Sequence, residues 1–265
     1  MTRILLALVL WVTGLTAAAD TLRLAVTTSF ENSGLAGVLI PAFEAASGDD
    51  VQVIVVGTGR ALKLGEAGDV DAVLTHAPEA EGAAVAAGHY TKRREVMYND
   101  FVLLGPSDDP AAIAGAAGAA EALTRIAEER ALFASRGDES GTHKAELKLW
   151  EAAGIDPREA SGRWYRETGS GMGATLNTGV ALGAYILSDR ASWLTFGNQR
   201  DHTILFEGDP ALFNQYAFLP VSPDRHPQTA TEAVQRLEDW LTGPAQAIIA
   251  EYRLMDQPLF IPNAE

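Results

Sequence analysis

The chain has 265 residues, no cysteine, and 35 acidic against 20 basic side chains, for a formal net charge of −15. Thiol catalysis, thiolate metal sites and lipid attachment through a cysteine are excluded by that composition. The acidic balance argues against nucleic acid and anionic membrane as partners.

The first 19 residues read as a signal peptide. Arg3 supplies a positive start, residues 4–15 are almost wholly apolar, and Ala17, Ala18 and Ala19 form a small-residue cleavage pattern. The apolar run is shorter than the roughly 20 residues a spanning helix needs. Cleavage near Ala19, export to the periplasm and no direct membrane insertion are therefore expected. The mature chain is long enough for one large domain or two lobes.

Residues 21–26 alternate and then turn apolar, as an early strand does. The polar stretch TTSFENSG (27–34) comes next, then a helical pattern carried by Leu35, Val38, Leu39 and Phe43 and stopped by Gly48. Residues 51–56 predict a second strand, followed at once by Gly57-Thr58-Gly59 and a helix over 61–68. A third strand over 70–74, a helix over 79–88 and a longer strand over 94–104 complete this unit. The stretch GPSDDPAAIAGAAG then marks a break. Beyond it lie a helix over 121–129, a short strand over 131–135, the motif SRGDESGTH (135–143), and a helix ending before Gly154. A strand over 164–168, the stretch GSGMG, a helix through Leu187, strands over 203–206 and 216–221, and closing helices over 229–252 come after it.

Repeated strand–loop–helix units predict an α/β fold with mainly parallel sheets flanked by helices. The expected organisation is two lobes joined by two crossovers. Residues 20–104 form the first part of lobe one, 105–202 lobe two, and 203–265 the crossover and return to lobe one. A single doubly wound domain is the alternative.

Four polar loops carry the chemistry: 27–34, 57–59, 135–143 and 168–173. Each follows a predicted strand and opens a predicted helix, where α/β proteins bind ligands and where helix starts present unpaired N–H groups to anions. Any one such loop is ordinarily a cap. Four of them, one holding Arg136, turn the balance toward anion binding. Enzyme patterns fail by comparison. Leu62 stands where a dinucleotide fingerprint needs its third glycine, and no phosphate loop of the GxxxxGK type occurs. Asp138 breaks the glycine–x–serine elbow around Ser140. His76, His89, His143, His202 and His226 are scattered without metal spacing, and His143 reads as a surface or lobe-contact residue. Asp69 and Asp71 read as turn residues at a strand start.

The stretches TTSFENSGL, VGTGRALKLGEAGDVDAVLTHAPEAE, FASRGDESGTHKAELKLW, TGSGMGATL and YILSDRASWL together resemble one family. It is the periplasmic tungstate-binding proteins of ABC transporters, within the type II periplasmic binding-protein superfamily. The resemblance runs over nearly the whole chain after the signal peptide. It implies a non-enzymatic, monomeric receptor without cofactor or bound metal ion, which takes tungstate or a similar oxyanion to a membrane ABC permease. Molybdate, sulfate and phosphate are the alternative ligands, and a sensor or a hydrolase using the same cleft is the alternative class. The resemblance also implies ligand binding by Arg136 as the charged group and by Ser140, Gly141 and Thr142 beside it. Thr28, Ser29 and Thr58 would bind from the other lobe. Phe30 and Glu31 depart from the family's first loop and leave fine specificity open. So do Asp138 and Glu139, which either brace Arg136 or tune which anion is accepted.

Overall fold

The computed structural model describes residues 21–264, so the expected signal peptide lies outside the described residues. The chain starts with β1 (Thr21–Thr27), β2 (Asp50–Val56) and β3 (Ala72–Thr75), which pair in parallel in the order β2-β1-β3. Between them run helices α1 (Thr28–Asn32), α2 (Ala36–Ser47), α3 (Thr58–Ala67) and α4 (Pro78–Ala86). Strands β1 and β3 are buried along most of their length, as parallel strands covered on both faces are, whereas β2 lies at the sheet edge and is only partly covered. Leu22, Leu24 and Val26 of β1 face one core with Phe30 and Phe43, while Ala25 between them faces another with Leu62 and Val73.

The long strand β4 (Arg94–Pro106) leaves this lobe for the second one. There α5 (Ala119–Glu128), β5 (Phe133–Ser135), α6 (Gly141–Ala152), β6 (Tyr165–Glu167), α7 (Met172–Leu182), β7 (Tyr185–Asp189), α8 (Arg190–Thr195) and β8 (His202–Phe206) come in turn. Strand β5 lies parallel to both β6 and β7, and β7 and β8 pair antiparallel with β4. Phe133, Trp150 and Tyr165 pack as aromatic neighbours at the centre of this lobe.

Strand β9 (Phe213–Pro220) returns to the first lobe and inserts antiparallel between β3 and β4. Helices α9 (Thr231–Thr242) and α10 (Ala245–Glu251), the small β10–β11 hairpin (Arg253–Leu254 with Gln257–Pro258) and β12 (Ile261–Pro262) close it. Strand β8, at the start of the stretch expected to cross back, pairs with Leu103–Pro106 of β4. The polar stretch after β1 also holds a helix of its own, α1, capped by the Thr27 hydroxyl.

Both crossovers meet at one side chain. On β4, Asp100 is the last residue paired with β9 and Phe101 the first paired with β7, so the strand changes lobes there. Arg190, at the start of α8, donates through Nε to Asp100 Oδ1 (2.7 Å) and through Nη2 to Glu207 Oε2 (2.6 Å), just beyond β8. Arg190 and Asp100 are only 16% and 15% exposed. Removing one partner from such a pair leaves a poorly hydrated charge behind. Asp100→Ala is expected to lower stability by about 2 kcal/mol in urea unfolding. Glu207→Ala, whose carboxylate is half exposed, is expected to cost less than about 1 kcal/mol.

Candidate functional site

A cleft of about 1420 Å³ lies between the lobes. Helix α4 begins at its wall with Pro78, Glu79 and Ala80. So do the four helices that follow the polar loops, each directly after a strand or a short loop from one: α1 after β1, α3 after β2, α6 after β5 and α7 after β6. Their first residues, Thr28 and Ser29, Thr58 and Gly59, Gly141 and Thr142, Met172 and Gly173, all line the cleft. The opening amides of a helix have no intrahelical acceptor, and its start carries partial positive charge. The residues expected from sequence, Thr28, Ser29, Thr58, Arg136, Ser140, Gly141 and Thr142, are thus brought to one cavity.

The loop from Ser135 to His143 satisfies most of its own polar groups. Gly137 donates its amide to Ser135 Oγ (3.3 Å), Glu139 to His143 Nδ1 (3.1 Å), Ser140 to Asp138 Oδ1 (3.2 Å) and His143 to Ser140 Oγ (3.3 Å). Gly141 and Thr142, at the first two helical positions, keep free amides. Gly137 has φ +59°, and a Cβ there would stand 2.8 Å from Glu167 Cβ, so only glycine fits the turn. Arg136 donates to Asp138 Oδ2 from Nε (3.2 Å) and Nη2 (2.6 Å), and the residue lines the cleft. Burial works against the charged Asp138 carboxylate. Hydrogen bonds from Ser140 and Arg136 outweigh it and hold the group below the usual carboxylate range.

These contacts decide several points the sequence left open. Asp138 braces Arg136 and the Ser140 amide, whereas Glu139 is exposed and lines the cleft. Phe30 is buried beside Tyr216, with ring centroids 6.2 Å apart, and Glu31 is absent from the cleft wall. His143 is not a surface residue. It is buried, and its ring turns back onto the Glu139 amide. Asp71 is more than a turn residue, since its buried carboxylate receives the amide and guanidinium of Arg23.

On the opposite wall, Ser29 Oγ lies 3.1 Å from Thr27 Oγ1, 3.1 Å from His76 Nε2 and 2.9 Å from Tyr216 OH. Desolvation pushes the His76 imidazole down to about 4, so it is neutral at physiological pH. His76 also faces the other lobe: a Cβ on Gly141 would stand 3.3 Å from its Cε1. A second bridge joins Lys148 of α6 to Glu79 of α4 at 2.8 Å. Sequence reasoning missed His76, Tyr216 and Asp189 as cleft-wall or supporting residues. His76 directly follows β3 and Asp189 ends β7, so the strand-end rule applied to those strands would have reached both.

Two α/β lobes, a double crossover and a cleft walled by helix starts define a solute-binding protein of the periplasmic type. The model of the PBP superfamily domain matches residues 12–245. The chain is 41% identical over 254 residues to the tungstate-binding protein TupA of Peptoclostridium acidaminophilum, covering 94% of this chain and 88% of that one. Its fold matches the solved tungstate-binding protein TupA of Desulfovibrio alaskensis with a TM-score of 0.89 at 43% identity, over 93% of this chain and all of the other. The tungstate ABC transporter structure from Geobacter sulfurreducens matches with a TM-score of 0.76 at 47% identity, over 89% of this chain and all of the other. The chain belongs to the PBP superfamily and, within it, to the TupA family.

Behind the lobe-two wall, Glu146 of α6 is fully buried. Its Oε1 accepts from Tyr165 OH on β6 (2.7 Å) and from Trp150 Nε1 (3.3 Å), tying together the elements that carry two of the four loops. Burial pushes its carboxyl up to about 7, against the opposing hydrogen bonds from Tyr165, Ser135 and Trp150. A raised acid binds its proton more tightly in the folded state than in the unfolded one. Its contribution to stability is therefore present at low pH and lost as pH rises from the ordinary carboxylate range to about 7. Glu146→Gln is expected to raise the melting temperature at pH 8 relative to the unsubstituted protein and to leave it nearly unchanged at pH 4. Thermal melts at the two pH values measure this.

Proposed function

We propose that the chain captures a tetrahedral oxyanion, tungstate foremost, in the interlobe cleft and delivers it unchanged to the membrane permease of an ABC importer. The observation that carries this reading is the arrangement of the loop 135–143. It spends the Asp138 carboxylate and several of its amides internally, and leaves Arg136, Gly141 and Thr142 at the cleft with the exposed Glu139 beside them. Tungstate and molybdate are fully deprotonated dianions at neutral pH, so they require donors alone. One guanidinium and several neutral donors give charge-assisted bonds without burying a second full charge. The family membership and the tungstate-binding relatives support the same choice.

Export with removal of the first 19 residues places the receptor in the periplasm as a monomer. Lobe rotation about the Arg190 junction would bring the donor loops together around the ligand. The local donors act despite the acidic surface, because solvent screening weakens distant charges more than contacts inside the cleft. A hydrolase reading is disfavoured by the geometry, since Ser140 Oγ accepts the His143 backbone amide while the His143 ring engages Glu139. Phosphate keeps a proton and needs an acceptor. The Asp138 carboxylate is committed to Arg136 and the Ser140 amide, and Asp189 at the cleft wall caps α8 through the Ser192 amide (2.8 Å). That leaves Glu139 as the loop carboxylate at the cleft that could accept that proton.

Titration calorimetry against tungstate, molybdate, sulfate and phosphate tests the proposal. Tungstate is expected to bind, and Arg136→Ala to weaken it by about 100-fold or more with an unchanged melting temperature. Absence of binding to all four anions would overturn the transport reading, and phosphate binding alone would replace tungstate as the ligand.

A further inference from the structure

Oxyanion capture by Arg136 and the helix-start amides leaves His143 without a task. Its side chain is buried yet absent from the cleft wall, so it does not touch a ligand there. Nδ1 accepts the Glu139 amide at 3.1 Å. The neutral ring must then carry its proton on Nε2, which is buried without a hydrogen-bond partner. An orphaned buried donor is unfavourable, and an apolar side chain of similar size would avoid it. Packing alone is therefore a poor reason for histidine at this position. What the ring supplies is the acceptor.

The acceptor acts on an unusual residue. Glu139 has φ +61°, a left-handed conformation that a residue with a Cβ rarely adopts unaided. The chain turns there immediately before Ser140 and the free amides of α6. Ser140 Oγ in turn accepts the His143 amide (3.3 Å), so residues 139–143 are clasped in both directions, as in a capping box displaced by one residue. The Ser140 amide is taken by Asp138, which also holds Arg136.

We propose that His143 is the positioning residue of the oxyanion loop. Its Nδ1 bond to the Glu139 amide holds the left-handed turn and thereby aims Arg136 and the Gly141 and Thr142 amides into the cleft. The inference rests on the oxyanion reading for its ligand, but the clasp itself is testable in the free protein. Glu139 is exposed, so water replaces a lost acceptor at little cost to global stability. The order of the turn is what suffers.

Three variants separate positioning from packing. In His143→Asn the carboxamide oxygen occupies nearly the place of Nδ1, in His143→Gln it reaches nearly that of Nε2, and His143→Leu has no acceptor. Tungstate affinity, melting temperature and hydrogen exchange at the Glu139 amide are measured on each. The Asn variant is expected to bind within about threefold of the unsubstituted protein and to keep the amide protected. The Leu and Gln variants are expected to lose about tenfold in affinity and the protection, with Leu melting no lower than Asn. Wild-type affinity in His143→Leu, or equal losses in Asn and Leu that follow their melting temperatures, would overturn the proposal. If the unsubstituted protein binds no oxyanion, the functional reading fails. Exchange at Glu139 still decides the clasp: protection in the free protein and in Asn but not in Leu supports it, and equal exchange in all overturns it.

Discussion

Asp138 stands two residues after Arg136 and receives both its guanidinium and the amide of Ser140, and the character of the cleft depends on that carboxylate. Left free, it would place a negative charge beside the loop that opens α6. Bound as it is, it fixes the direction of the arginine and starts the helix, and it takes no place on the cleft wall. The wall then presents Arg136 with hydroxyls and helix-start amides, while Arg60, Lys144 and Lys148 and the carboxylates of Glu139, Glu79 and Asp189 also line it. A loop of nine residues can present so many donors only because its own acceptors have already chosen which amides to occupy.

The lobes bring the other donors within reach. Each contributes parallel strands whose carboxyl ends face the cleft, and each strand end feeds a helix start. Strand β4 belongs to both sheets, so the two walls are not independent bodies joined by a loose tether. The junction is stiffened by Arg190, which holds the strand leaving the first lobe and the segment leaving the second. On the proposed reading, rotation about that point would move Gly141 relative to His76 and open or close the space between the donor sets.

The four loops were legible in the sequence because each is a local event: an apolar strand, a polar turn with glycine or serine, and a helical pattern. Ser140 as a cap and Arg136 as a charge in that turn required no knowledge of distant residues. Tyr216 was not legible in the same way. It comes to Ser29 from β9, whose insertion between β3 and β4 no local pattern announces. The pairing of β8 with the far half of β4 is equally a matter of distant residues. His143 was read as a surface or lobe-contact residue because a histidine in the first turn of a helix looks exposed until Glu139, four residues earlier, turns left-handed and offers its amide to the ring. Phe30 and Glu31 looked like a conflict with an anion site, yet the short helix α1 sends one into the core and the other away from the cleft.

Two groups of the site keep their charge over a wide range of pH. Asp138 stays ionised below the usual carboxylate range, and His76 stays neutral until about pH 4. Mild acidification therefore changes the charge of neither. On the proposed reading, neither of them releases the cargo by titration, and the permease would unload it mechanically, prising the lobes apart against the contacts that join them with energy from the transporter's own cycle.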